Sequence, residues 1–114
     1  MSDAIPLFAN PGQTITLATQ VVDGYGTRVD GYGTPQVESI IFPDLAFASG
    51  YPQAMTRVST GLYIYRFAIP TGSSSIGTFI ASISFNSPAT GGVAWQLYTI
   101  NVAAPFGNST FFPG

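Results

Sequence analysis

Residues 54–70 read AMTRVSTGLYIYRFAIP and contain two strand-like runs on either side of the turn Ser59-Thr60-Gly61. From Leu62 onward the residues sort into two alternating sets, because successive side chains of a strand point to opposite sides of a sheet. Two such runs around a glycine-containing turn are typical of a β-hairpin. The segment therefore predicts a hairpin whose second strand has a strongly aromatic face. That face consists of Tyr63, Tyr65, Phe67 and Ile69.

Short alternating runs also occur along the rest of the chain, and no segment shows the periodicity of an amphipathic helix. About seven short strands, with turn signals at intervals of roughly eight to twelve residues, predict an antiparallel sandwich of two sheets. The remaining predicted strands are 13–22, 37–42, a small edge strand at 45–48, 78–86 and 93–102.

The last predicted strand has apolar residues on both faces. Tyr98 and Ile100 fall on one face, whereas Trp95 and Leu97 fall on the other. Two explanations remain open: both faces are partly covered, or a bulge near Gln96 resets the register.

The hairpin segment resembles one found in immunoglobulin-like (Ig-like) β-sandwich domains of bacteriophage structural proteins and in related bacterial modules. The shared pattern is TG-L-Y-x-Y-x-F-x-I-P, here residues 60–70, followed by the strand start Gly77-Thr78-Phe79. The resemblance covers roughly residues 11–103, and the Cys-Trp-Cys pattern of antibody domains is absent. It implies an all-β fold, a single Ig-like sandwich, and a structural role rather than a reaction.

A chain of 114 residues fits one domain. We expect an N-terminal arm at 1–12, the Ig-like β-sandwich at 13–103 and a C-terminal arm at 104–114. Both arms carry aromatic residues where chain ends are usually polar. The arms either fold back over the open ends of the sandwich or reach into a neighbouring subunit. The aromatic residues concerned are Phe8, Phe106, Phe111 and Phe112.

The composition predicts an unusually neutral surface, because charged residues make up only 7% of the chain and lysine is absent. Such a surface suppresses self-association weakly and favours a protein that functions in an assembly, although a charge-poor monomer is the alternative. A net charge of −2 argues against nucleic acid as a partner. No apolar run approaches a membrane span, and residues 1–12 lack the features of a secretory signal.

The residues needed for most catalytic sites are missing, since the chain has no histidine, cysteine or lysine. A Ser-His-Asp triad, a common zinc site and a lysine Schiff base are therefore excluded within this chain. Five carboxylates remain, but no motif indicates the paired carboxylates of a glycosidase. We expect no enzyme activity, no cofactor, no metal site and no catalytic residue. The charged residues Arg28, Glu38, Arg57 and Arg66 are instead candidates for oriented contacts with a neighbour.

A pentapeptide occurs twice, as Asp23-Gly24-Tyr25-Gly26-Thr27 and as Asp30-Gly31-Tyr32-Gly33-Thr34. The two aspartates could converge on a calcium ion, although the spacing matches no known calcium loop. The favoured interpretation is that each aspartate initiates a turn through its own side chain. Tyr25 and Tyr32 are then candidate contact residues, because tyrosine offers a large amphipathic area at a small entropic cost.

These observations predict a non-enzymatic virion structural protein, most plainly a capsid decoration or cement protein that bridges neighbouring capsid subunits. Its partners would be the major capsid protein or other virion proteins, and it would form a homo-oligomer or a multi-copy assembly. It would be located in the virion, which is assembled in the host cytoplasm. The alternatives are a phage tail, neck or fibre component, or a carbohydrate-binding adhesive module that uses its tyrosines and Trp95. The candidate interface residues are Phe8, Tyr25, Tyr32, Phe106, Phe111 and Phe112.

Overall fold

The structure is a computed structural model that describes residues 4–72 and 75–103. These residues form eight β-strands and no α-helix, which confirms the predicted all-β fold. The strands are β1 (Ile5–Ala9), β2 (Thr14–Gln20), β3 (Gln36–Ile41), β4 (Gln53–Ala54), β5 (Thr56–Ser59), β6 (Leu62–Ala68), β7 (Gly77–Ser87) and β8 (Gly92–Val102).

The strands form two sheets with a shared core between them. One sheet has the order β2-β6-β5 and the other has the order β1-β8-β7-β3-β4. Neighbouring strands are antiparallel, apart from the parallel pair β1 and β8. In immunoglobulin-type sandwiches, strands B, D and E share one sheet, and strands C, F and G share the other. Because β2, β5 and β6 match the first set and β3, β7 and β8 match the second, the Ig-like sandwich is confirmed.

The predicted hairpin is formed by β5 and β6. Its turn contains Gly61, whose φ of 66° lies in the left-handed region that glycine adopts without strain. The aromatic face of β6 points to the core, since Tyr63 is buried and Phe67 packs against the buried cluster. Arg66 is exposed on the opposite face. The alternation in the sequence therefore predicted both faces of this strand correctly.

The core lies between the inward faces of the two sheets, and Phe79 on β7 is at its centre with 1% of its surface exposed. Its ring meets the rings of Phe42 and Phe67 edge-on, with centroids 5.3 and 5.8 Å apart. Edge-to-face pairs of this kind are favourable beyond the area they bury. The other large buried apolar residues are Ile15, Leu17, Val21, Val37, Ile40, Met55, Tyr63, Ile69, Ile83, Tyr98, Ile100 and Val102.

Tyr98 on β8 links the two sheets through its hydroxyl group. The hydroxyl donates to the backbone carbonyl of Ala18 on β2 at 2.7 Å and accepts from the Ala18 N–H at 3.1 Å. The side-chain amide of Gln96 donates to the same carbonyl at 2.9 Å. Since β2 is an edge strand, these contacts satisfy backbone groups that its own sheet leaves unpaired.

The pairing of β7 with β8 explains why the last predicted strand has apolar residues on both faces. The register runs without interruption from Gly77 opposite Val102 to Ser87 opposite Gly92, so no bulge occurs near Gln96. Tyr98 faces the core, whereas Trp95 lies on the outer face of the five-stranded sheet with 53% of its surface exposed.

The predicted boundary of the N-terminal arm at residue 12 is wrong. Residues Ile5–Ala9 form β1, an edge strand that pairs with residues 98–102 of β8. Pro6 has no N–H to donate, and an edge strand tolerates proline because one side of it needs no partner. The predicted C-terminal arm at 104–114, including Phe106, Phe111 and Phe112, lies outside the described residues.

The small edge strand predicted at 45–48 is also wrong. This segment forms a tight turn, in which the N–H of Leu45 donates to the carbonyl of Phe42 at 2.8 Å. The Asp44 carboxylate accepts from the Ala46 N–H at 3.0 Å and so favours a turn over a strand. Only an isolated bridge between Phe47 and Ile41 is formed, and β4 occupies the edge instead.

Candidate functional site

Three connecting segments meet at one end of the sandwich, which we call the loop end. They are the loop between β2 and β3 (residues 21–35), the turn between β5 and β6 (60–61) and the turn between β7 and β8 (88–91). The Val21 N–H donates to the Gly61 carbonyl at 2.8 Å, and the Asn86 side chain donates to the Tyr32 carbonyl at 3.0 Å. In antibody variable domains the corresponding B–C and F–G loops also lie together and carry binding residues. Both copies of the pentapeptide belong to this end.

The first pentapeptide forms a turn around its aspartate. One carboxylate oxygen of Asp23 accepts from the backbone N–H of Tyr25 at 2.8 Å and from that of Thr27 at 3.0 Å. The prediction that this aspartate initiates its own turn is therefore confirmed. The turn leaves Tyr25 at its tip with 93% of its surface exposed. A large amphipathic side chain is thus presented on a hydrogen-bonded loop.

The second pentapeptide uses its aspartate differently, and the prediction of a self-contained turn is wrong for Asp30. Its carboxylate forms an ion pair with Arg57 at 2.8 Å and accepts from the Gly61 N–H at 2.9 Å. The hydrogen bond from Arg57, followed by that from Gly61, lowers the pKa of Asp30 below its ordinary range. The second copy therefore fastens the loop between β2 and β3 to the turn between β5 and β6.

Tyr32 of the second copy lies beside a groove of about 480 Å³. Its side chain is 46% exposed. The groove separates the second pentapeptide from the turn between β7 and β8, and none of the described residues that line it is charged. It is lined by Gly31, Tyr32, Asn86, Ser87, Pro88, Gly91 and Gly92.

The outer face of the five-stranded sheet is a second exposed surface, which we call the sheet face. Paired residues of neighbouring strands lie on the same face, so the register places Trp95 beside Ser84 and Leu97 beside Ser82. Phe8 on β1 lies beside Asn101 on this face and is 76% exposed. The other exposed large apolar residues on this face are Phe47 and Val93.

The sheet face is almost free of charge. Of all the residues in β1, β3, β4, β7 and β8, only Glu38 is charged. Its carboxylate accepts a hydrogen bond from the hydroxyl of Ser84 on the neighbouring strand. Contact with another neutral, apolar surface would therefore require little desolvation of charge.

The four carboxylates among the described residues have separate partners. Asp23 and Asp44 accept from backbone N–H groups of their own turns, Asp30 pairs with Arg57, and Glu38 accepts from Ser84. Within ranges 4–72 and 75–103, no cluster of three or more acidic residues is arranged to hold a metal ion.

The predicted interface residues do not form one patch. Tyr25 and Tyr32 lie at the loop end, Phe8 lies on the sheet face, and the other three lie outside the described residues. The exposed positions of Phe47 and Val93 on the sheet face were not predicted from the sequence. The ion pair between Asp30 and Arg57 was also missed, because no pattern links residues 27 positions apart.

No protein-family model matches this chain, and no curated protein matches it. Among residues 4–72 and 75–103, no helix is long and apolar enough to cross a membrane.

Proposed function

We propose that this protein is a non-enzymatic structural component of a virus particle, a capsid decoration or cement protein that bridges neighbouring subunits. One observation carries the proposal: a charge-poor sandwich exposes aromatic residues on two separate surfaces, the loop end and the sheet face. A protein that bridges subunits needs at least two contact surfaces. Its contribution is to add interfacial area, which stabilises the joined state through mass action.

The loop end is the surface that contacts the capsid partner in this proposal. Tyr25 is exposed at a tip that Asp23 holds by two hydrogen bonds, so little conformational entropy is lost when the tyrosine is bound. Tyrosine is also among the residue types enriched in interfaces. The ion pair between Asp30 and Arg57 supports the same loop from the adjacent hairpin turn.

The resemblance to Ig-like domains of bacteriophage structural proteins supports placement in a phage virion. The absence of histidine, cysteine and lysine supports a structural rather than a catalytic role. Incorporation at another position, in the tail, neck or a fibre, would use the same two surfaces. Labelling this chain in purified particles and imaging them by electron microscopy would distinguish these positions.

Incorporation of surface variants into purified particles tests the proposal. We expect Tyr25→Ser to reduce the copy number per particle about tenfold, because a central aromatic anchor contributes roughly 1.4 kcal/mol or more. Val58→Ser is the matched control, since Val58 is an exposed apolar residue on β5 that belongs neither to the segments of the loop end nor to the sheet face. Equal incorporation of wild type and Tyr25→Ser would contradict the role of the loop end.

The groove beside Tyr32 favours a second candidate function, binding of a neutral carbohydrate. The groove combines an aromatic side chain with the amide of Asn86 and exposed glycine backbone, and its lining residues within 4–72 and 75–103 are all uncharged. A Tyr32→Ala variant should then lose signal on a neutral glycan array, whereas Tyr25→Ala, at the same position of the other pentapeptide, should keep it. Absence of any glycan signal for the wild type would exclude this candidate.

A further inference from the structure

We infer that the sheet face binds a second copy of this chain, in a two-fold symmetric pair. The inference deepens the proposed function by naming one partner, and it rests on that proposal only in treating the protein as part of an assembly.

The sheet face has a ridge beside a trough. The ridge is formed on β8 by Val93, Trp95 and Leu97. The trough is formed on the same face of the neighbouring strand β7, where the paired residues are smaller. Ser84 lies opposite Trp95, and Ser82 lies opposite Leu97. Ser39 on β3 continues the trough, because it lies opposite Ser82 on the other side of β7. Neighbouring strands are about 4.8 Å apart, so the ridge and the trough are offset by one strand.

A two-fold axis makes this offset self-complementary. The axis would lie in the plane between the two copies, parallel to the strands, and would pass midway between β7 and β8. Rotation about this axis places the ridge of one copy over the trough of the other. Position along the strands is preserved, so Trp95 of each copy meets Ser84 of its partner. An isologous interface requires this match of a surface with itself. Sheets pack about 10 Å apart, with strand directions within about 30° of each other.

The charge distribution permits like copies to approach. A two-fold interface places two copies of the same face against each other, so a face with many charges of one sign repels its copy. The strands of the sheet face carry only Glu38, and its carboxylate is already hydrogen-bonded to Ser84. Two copies can therefore pair without burying an array of like charges.

The area of the sheet face is sufficient for a weak pair. The four neighbouring strands β1, β8, β7 and β3 have 5, 11, 11 and 6 residues. At about 3.3 Å per residue and about 4.8 Å between strands, each copy offers about 500 Å². A pair would bury about 1,000 Å² in total, which is the lower limit for a specific protein interface.

The single tryptophan provides the readout, because Trp95 lies on the ridge and no other tryptophan contributes to fluorescence. We expect the purified full-length chain to sediment as a dimer at micromolar concentration. On dilution, its fluorescence should shift to longer wavelength as Trp95 returns to water. A wild-type chain that stays monomeric at about 100 μM, with emission independent of concentration, would overturn the inference.

Two variants and one control locate the interface. Ser82→Arg fills the trough with a charged side chain and leaves Trp95 in place, so it should weaken dimerisation at least tenfold and abolish the concentration-dependent shift. Leu97→Ser should weaken dimerisation through the ridge, and it serves as a second test if Ser82→Arg fails to fold by circular dichroism. Tyr25→Ser, at the loop end, should dimerise like the wild type. A dimer unaffected by both sheet-face variants would place the interface elsewhere and contradict the inference.

The measurements separate this inference from the proposed function. Dimerisation is measured on the purified chain alone, whereas the proposed function is measured by incorporation into particles. Monomeric wild-type protein that still enters particles would overturn only the pairing, and a dimer that never enters particles would overturn only the proposed function.

Discussion

Asp30 accepts a hydrogen bond at 2.9 Å from the backbone N–H of Gly61, which lies 31 residues further along the chain. The same carboxylate pairs with Arg57 at 2.8 Å. One side chain thus connects the loop that follows β2 to the turn of the β5–β6 hairpin. Because Tyr25 and Tyr32 belong to that loop, this connection positions both candidate contact residues relative to the sandwich.

The first prediction concerns the charge of Asp30. Asp30→Asn keeps an oxygen that can accept from Gly61 but removes the ion pair with Arg57, so we expect a lower melting temperature. Asp23→Asn is the matched control, because it removes a charge at the same position of the other pentapeptide, where the partners are backbone N–H groups of its own loop. Thermal melts at about pH 7 in low salt measure both. Equal effects of the two substitutions would contradict the assigned role of the ion pair.

The second prediction gives the pH dependence of that contribution. The pKa of Asp30 is lower in the folded protein than its ordinary value of 3.8, chiefly because of the hydrogen bond from Arg57. The ionised carboxylate therefore favours the folded state at neutral pH, and this contribution is lost as the pH falls through the folded pKa. The difference in stability between wild type and Asp30→Asn should be complete above about pH 5 and should shrink below about pH 4. Because the pair is exposed, about 1 M salt should also reduce the difference at neutral pH. A difference independent of both pH and salt would show that the effect is not electrostatic.

The third prediction concerns the crowding around Gly61. A Cβ at this position would lie 2.7 Å from the carbonyl oxygen of Val21 and 2.8 Å from the backbone nitrogen of Val29, with φ at +66°. Gly26 has a similar φ of +82°, but no atom from the described part of the chain lies within 4 Å of a Cβ there. We expect Gly26→Ala to cost about 1–2 kcal/mol from the left-handed conformation alone. Gly61→Ala should cost about 2–5 kcal/mol, because overpacking adds to the same strain.

Urea unfolding of the two alanine variants makes this comparison. Equal costs for Gly61→Ala and Gly26→Ala would mean that the loop between β2 and β3 does not press against the hairpin turn. That result would also mean that the hairpin turn does not position the loop that carries Tyr25.

The fourth prediction concerns the core. Phe79 is almost completely buried between Phe42 and Phe67, so Phe79→Ala should destabilise the fold by about 3–5 kcal/mol. Phe47→Ala is the same substitution at an exposed position and should change the free energy of unfolding by about 0.5 kcal/mol or less. Chemical denaturation measures both. A small effect at Phe79 would show that the inward face of β7 is assigned incorrectly.

The fifth prediction concerns the link between the sheets. Tyr98→Phe removes the hydroxyl that bonds both backbone groups of Ala18, and it should cost about 1–3 kcal/mol. Gln96 still donates to the Ala18 carbonyl, so the unpaired group would be the N–H. Tyr25→Phe, on an exposed side chain, should be nearly neutral. Faster amide hydrogen exchange at Ala18 in Tyr98→Phe would identify the lost contact directly, and unchanged exchange would contradict it.

The strands with one buried face were predictable because burial imposes a two-residue period on the sequence. β6 illustrates this: the predicted aromatic face is the inward face, and Arg66 lies outside. β1 was not predictable in the same way. Its parallel pairing with β8 joins residues from opposite ends of the chain, and Pro6 argued against a strand on local grounds.

The loop end shows why the candidate site was predicted only in part. The two pentapeptides have the same sequence, yet Asp23 forms its own turn and Asp30 pairs with Arg57. Local preference is identical in the two copies, so the difference arises from what packs beside each of them. The sequence showed that Trp95 and Tyr98 fall on opposite faces of the last strand. It did not show that the pairing of this strand with β7 continues without a bulge.

Quantitative mass spectrometry of purified particles tests whether this chain is a multi-copy structural component of a virus particle, as we propose. We expect the chain to co-purify with the particles at a fixed ratio to the major capsid protein. Tyr25→Ser should lower this ratio, and Val58→Ser should leave it unchanged. Particles that lack the chain, with all of it free in the lysate of infected cells, would contradict the proposed function.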